Sequence, residues 1–83
     1  MEYYLIIARS VTYAQRMQRA LARAGIRSQI FRAPRELTEL GCAYAVQISV
    51  PDLPAALTAI HRERLDPVQI FLNQSGAYRE VGL

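Results

Sequence analysis

The sequence predicts an α+β sandwich: four strands and two helices in the order β-α-β-β-α-β, the ferredoxin-like arrangement with a four-stranded antiparallel sheet and both helices on one face. Three observations predict it. Four short β-forming runs alternate with two amphipathic stretches of helical period, the connections between them are brief, and 83 residues suffice for one core only. A single domain over residues 1–83 is expected, with its ordered core at about 2–74 and a tail at 75–83.

Tyr3 to Ala8 is continuously apolar and rich in β-formers, the pattern of a central strand. Ser10 suits a helix N-cap. Behind it Val11, Ala14, Met17, Leu21 and Ala24 recur at spacings of three or four, and Gly25 offers a left-handed stop. Ile26 to Ala33 alternates as a half-buried strand and ends at Pro34. Arg35 to Leu40 reads as one helical turn or an irregular loop, after which Gly41 permits a tight turn into a strand from Cys42 to Val50.

In that third strand Tyr44, Val46 and Ile48 face one way, and Ala43, Ala45, Gln47 and Ser49 the other; Cys42 has the parity of the apolar set. Asp52 is a candidate N-cap and Pro54 fits a first helical turn. Leu53, Ala56, Leu57, Ile60 and Arg64 mark the second helix, which stops before Asp66-Pro67. Val68 to Asn73 is the fourth strand, and Ser75-Gly76 turns the chain into its tail. Both helices on one face leave the other open. Its expected occupants are Gln29, Gln47, Gln69, Phe31, Phe71 and either Tyr3 or Tyr4, a mixture that suits a homodimer interface.

The charge is unevenly spread. Tyr3 to Arg35 holds seven arginines and no acid, while the remaining residues hold three arginines and seven acids. Such a basic region steers anionic partners toward itself, whether nucleic acid, an acidic protein surface or a small anion; it is equally the solvated face of a helix in a chain that uses no lysine. RNA-recognition modules share the topology but stack bases on aromatic rings of the central strands. Here Ala43, Ala45 and Gln47 stand in those places, which argues against nucleic acid.

Glu2 stands where a signal peptide would be basic, and the first apolar run is too short to span a bilayer. A cytoplasmic protein is expected. The single cysteine excludes an internal disulfide, and no cysteine and histidine spacing fits a zinc site, so no metal or cofactor is expected. With no second histidine beside His61, no paired carboxylates and no glycine-rich phosphate loop, hydrolase and kinase chemistry lack their parts.

Cys42 is the remaining candidate. A thiolate is the reactive form of cysteine, and guanidinium groups such as that of Arg35 favour it, so a cysteine following Pro34, Arg35 and Gly41 suits a nucleophile or covalent carrier. A free cysteine equally suits a core position. Arg35 in turn suits pairing with Glu36 or Glu39, and His61 suits a helix rim.

The run Leu21-Ala22-Arg23-Ala24-Gly25-Ile26, then Ile30, Pro34-Arg35-Glu36-Leu37 and Gly41-Cys42, resembles a small bacterial family labelled selenium/sulfur carrier protein-like, over nearly the whole chain. The most specific part is the Pro34-Arg35 pair followed by Cys42 beside a glycine. In the family's usual pattern glycine follows the cysteine; here Gly41 precedes it, Ala43 follows, and the loop is one residue longer. The resemblance implies a carrier, rather than a turnover enzyme, that takes sulfur or selenium from a cysteine desulfurase-like donor and relays it to an acceptor protein. Its site residues would be Cys42, with Arg35, Pro34 and Gly41 around it. The alternative is a regulatory or protein-interaction module in which Cys42 is structural.

Overall fold

The computed structural model describes residues 2–37 and 43–82. In chain order its elements are β1 (Tyr3–Ala8), α1 (Val11–Arg23), β2 (Gln29–Arg32), β3 (Tyr44–Ser49), α2 (Leu53–Arg62), β4 (Gln69–Gln74) and β5 (Ala77–Glu80). β1 pairs antiparallel with both β3 and β4, which places it at the centre of the sheet. A strand covered on both faces needs apolar residues at consecutive positions, and Leu5, Ile6, Ile7 and Ala8 are all buried.

The fold is α+β, with two helices and a five-stranded antiparallel sheet in the order β2-β3-β1-β4-β5. The expected sheet had four strands. The fifth arises because Ser75 and Gly76 both take positive φ, 52° and 86°, the two-residue hairpin turn whose twist matches that of the flanking strands. The chain therefore folds straight back and pairs Gln74 with Ala77 and Asn73 with Tyr78.

Both helices pack on one face. Met17, Leu21, Ala56 and Ile60 meet Ile6, Val46, Ile48 and Ile70 in the larger cluster. The opposite face carries the predicted glutamines and phenylalanines, with Tyr3 as its tyrosine, but its centre is closed: Leu5, Ile7 and Ala45 are no more than 1% exposed. Tyr3, Phe31 and Tyr78 ring that centre, and Ala33, Leu37 and Ala43 of the β2–β3 connection pack onto it. Burying these apolar side chains contributes on the order of 25 cal/mol per Å² removed from water.

The two helices end in the same way. After α1, Gly25 N–H bonds the Ala22 carbonyl at 3.0 Å and Ile26 N–H bonds that of Leu21 at 2.9 Å. After α2, Arg64 N–H bonds the His61 carbonyl at 3.0 Å and Leu65 N–H that of Ile60 at 3.1 Å. This is the Schellman motif, with buried Ile26 on Leu21 and buried Leu65 on Ile60 as its apolar contact. Arg64 therefore lies beyond the helix in which its spacing had placed it. The start of α2 also differs from expectation. Val50–Asp52 forms a 3₁₀ turn, so Asp52 has helical rather than extended backbone and makes no side-chain cap.

The motif needs a left-handed residue, which Gly25 supplies freely at φ +78 and Arg64 supplies under strain at φ 59. Arg64→Gly is expected to raise stability by roughly 0.5 kcal/mol once the entropy of glycine is offset. Gly25→Ala meets no atom within 4 Å yet is expected to lower stability by about 1 kcal/mol through backbone strain alone. Thermal unfolding of both variants checks the opposite signs.

Candidate functional site

The candidate residues belong to the connection between β2 and β3. Its base is a ladder bond beyond the strands proper, Ala33 N–H to the Ala43 carbonyl at 3.0 Å. Pro34 fixes φ and lacks an N–H, so the ladder ends there. A 3₁₀ turn, Arg35–Leu37, follows, with Leu37 N–H bonded to the Pro34 carbonyl at 3.0 Å. Leu37 drops onto the second cluster and Arg35 stays exposed. The turn is thus held by one apolar side chain while its guanidinium faces solvent. Gly41 and Cys42 lie outside the described residues.

The face on which Leu37 packs also carries a tyrosine pair. Tyr3 and Tyr78 hydroxyls are 3.2 Å apart, and the Tyr78 hydroxyl is held above its ordinary value of 10.0, first by the hydrogen bond with Tyr3 and then by burial, with the Glu36 carboxylate adding repulsion of the phenolate. Leu37 thus fastens the start of the connection to the second cluster. The sequence signal for this was a lone leucine in an otherwise polar turn, which periodicity does not register.

Where the connection leaves the sheet, other groups gather. Tyr44 pairs with Ala8, the last residue of β1, and the chain then passes through Arg9 and Ser10 into α1. Ser10 caps as expected, its hydroxyl accepting from Tyr13 N–H at 3.1 Å. No acid occupies the first turn of α1, so the positive end of its dipole is uncompensated there. The Arg9 guanidinium sits 5.0 Å from the centre of the Tyr13 ring, whose hydroxyl accepts from Asp66 N–H at 2.7 Å. Val68 N–H bonds the Ile7 carbonyl at 2.9 Å. Val11 and Val68, at 41% and 53%, are the exposed large apolar side chains among the described residues.

The remaining candidates are apart from this end or have other uses. His61 is exposed in the last turn of α2. Arg23 pairs with Glu63 across the helix layer, and its hydrogen bonds hold that carboxyl below the usual carboxylate range. One of the seven arginines of the basic stretch is so occupied. Ala45 is buried and Gln47 half-buried, so β3 offers no stacking platform. Among the described residues no cluster of histidine, cysteine and acid could hold a metal, and no helix is long and apolar enough to cross a membrane.

The tyrosine pair has a pH signature. An unfolded Tyr78 loses its proton near 10.0 while the folded one keeps it, so stability present below that value is lost as pH rises through the higher folded value. Urea midpoints measured from neutral pH to about pH 11 should fall less steeply in Tyr78→Phe than in the parent. Equal slopes would mean that the two hydroxyls are not coupled to folding.

No curated protein and no solved structure matches the chain. The model of one protein family does, over residues 3–72, a span that runs from β1 into β4 and takes in the whole β2–β3 connection with Pro34, Arg35, Gly41 and Cys42. The chain belongs to the family described as "Putative Se/S carrier protein-like".

Proposed function

We propose that the protein carries sulfur or selenium on Cys42, taking the atom from a cysteine desulfurase-like donor and passing it to an acceptor protein. The observation that carries this reading is membership of the Se/S carrier family through a span that contains the chain's single cysteine. Supporting it is the setting of the β2–β3 connection: the exposed Arg35 in its first turn, and a base at the end of the sheet where β1 gives way to Arg9 and the start of α1. Guanidinium groups and free helix amides both favour a thiolate over a thiol. In this reading the fold is a ferredoxin-like unit extended by β5, and the protein works in the cytoplasm, where a lone thiol stays reduced.

The transfer is an exchange between sulfurs. The Cys42 thiolate attacks the outer sulfur of a persulfide on the donor, a new S–S bond forms at Cys42, the donor's own S–S bond breaks, and the donor cysteine leaves as a thiolate. One thiolate is consumed and one released, so no outside oxidant or reductant is needed. Attack by an acceptor thiolate on the outer sulfur of the Cys42 persulfide repeats the step and restores Cys42. Selenium follows the same course with a selenium–sulfur bond. Arg35 has the planar, permanently charged fork suited to the thiolate leaving at each stage.

Incubation with a desulfurase and cysteine should add one sulfur atom by intact mass, removable by a reductant and missing in Cys42→Ser. An unmodified parent chain, or an adduct that survives in Cys42→Ser, would refute the assignment. Arg35→Gln should slow alkylation of Cys42 near neutral pH several-fold with unchanged thermal stability; an unaltered rate would remove Arg35 from the site.

A further inference from the structure

β2 and β5 are the edges of the sheet, and its register fixes which main-chain groups stand outward on each. Ala33 N–H bonds the Ala43 carbonyl, so these two residues form a hydrogen-bonded pair of the β2–β3 ladder. Successive residues of a strand turn their N–H and C=O to alternate sides. Phe31 and Gln29 therefore also face β3, opposite Ala45 and Gln47, while Ile30 and Arg32 face outward. Among the described residues nothing in the chain takes up those outward groups. β2 holds no proline and its register is unbroken, so neither a missing N–H nor a bulge blunts this edge.

A second copy supplies the complement where the outward groups match. The symmetric antiparallel registers that overlap most of β2 centre on Ile30 or on Phe31. Centred on Ile30, Arg32 would call on the partner's Ser28, whose carbonyl already accepts from the Gln18 side-chain amide at 3.1 Å. Centred on Phe31, Ile30 exchanges both bonds with the partner's Arg32, and Arg32 with the partner's Ile30. The next pair outward is Ser28 with the partner's Pro34, where one carbonyl is engaged, the other is bonded by Leu37 N–H, and proline has no N–H to give. The ladder ends there. β5 is less suited. Val81 N–H bonds the Ile70 carbonyl, so its outward residues are Tyr78 and Glu80. Centred on Arg79, a β5 pair sets two arginines opposite each other; centred on Tyr78, it runs Glu80 against the partner's Gly76, inside the turn at φ 86°.

We infer that the protein forms a two-fold dimer through β2, with Phe31 of each copy at the axis, so that two five-stranded sheets join into one. The axis falls on a non-hydrogen-bonded pair, the closer kind, where two half-buried rings meet on the face away from the helices and extend the second cluster. Arg32 lies opposite the partner's Ile30 rather than another cation. The sheet face that composition suggests as an interface has less to offer, because Leu5, Ile7 and Ala45 at its centre are already covered. The two β2–β3 connections leave the joint ladder at opposite ends, and the pairing asks nothing of Cys42.

Sedimentation equilibrium of the full chain under reductant, from about 1 μM to about 1 mM, should show a reversible monomer–dimer equilibrium. Amide hydrogen exchange over the same range locates the interface. Ile30 and Arg32 should exchange at least about tenfold more slowly where the dimer prevails than where the monomer does, with Tyr78 and Glu80 unchanged. Arg32→Pro removes an outward N–H at an exposed position, one the monomer's own ladder does not use. It should stay monomeric, with thermal unfolding at low concentration matching the parent. A parent that remains monomeric throughout, a dimer without slowing at Ile30 and Arg32, or slowing at Tyr78 and Glu80 in their place would each overturn the inference. So would a folded Arg32→Pro variant that dimerises as readily as the parent; should that variant unfold, the exchange pattern of the parent decides.

Discussion

The structure depends on β1 being buried from both sides. A strand in that position must offer apolar side chains to two layers at once, and Leu5 and Ile7 serve one face while Ile6 and Ala8 serve the other. Two separate clusters follow from one six-residue segment. The helices cover the first. The second falls to whatever the remaining chain can bring, which is why three aromatic rims and a loop leucine close it instead of a third helix.

That division explains how the start of the β2–β3 connection is held. The β2–β3 segment is pinned where Ala33 and Ala43 extend the ladder and again where Leu37 packs on the second cluster. Loops fixed to a rigid sheet can present reactive groups that core elements would bury.

Much of the fold was legible in the residues. The unbroken apolar run of β1 and the spacing from Val11 to Leu21, bracketed by Ser10 and Gly25, specify those elements locally. Other features were not, and for definable reasons. Arg64 gave no stop signal, since only tertiary contacts of Leu65 force an arginine into the left-handed region. Ala77-Tyr78-Arg79-Glu80 offers one anchoring ring in four residues, too little for a strand to be recognised before its partner is known. Alternation assigned Phe31 and Phe71 to the right face but carried no information on what covers it. At the candidate site the end of β2 was readable from Pro34, whereas the docking of Leu37 depends on a surface assembled from all five strands.

The central place of β1 has a consequence for synthesis. Its two neighbours are β3 and β4, and Tyr3 finds Asn73 only after every element between them has been made. Contacts of such sequence separation are slow to close, and until they do the apolar run of β1 stands without its partners. The central strand must therefore wait on segments far along the chain, which makes late closure of the sheet a property of this topology.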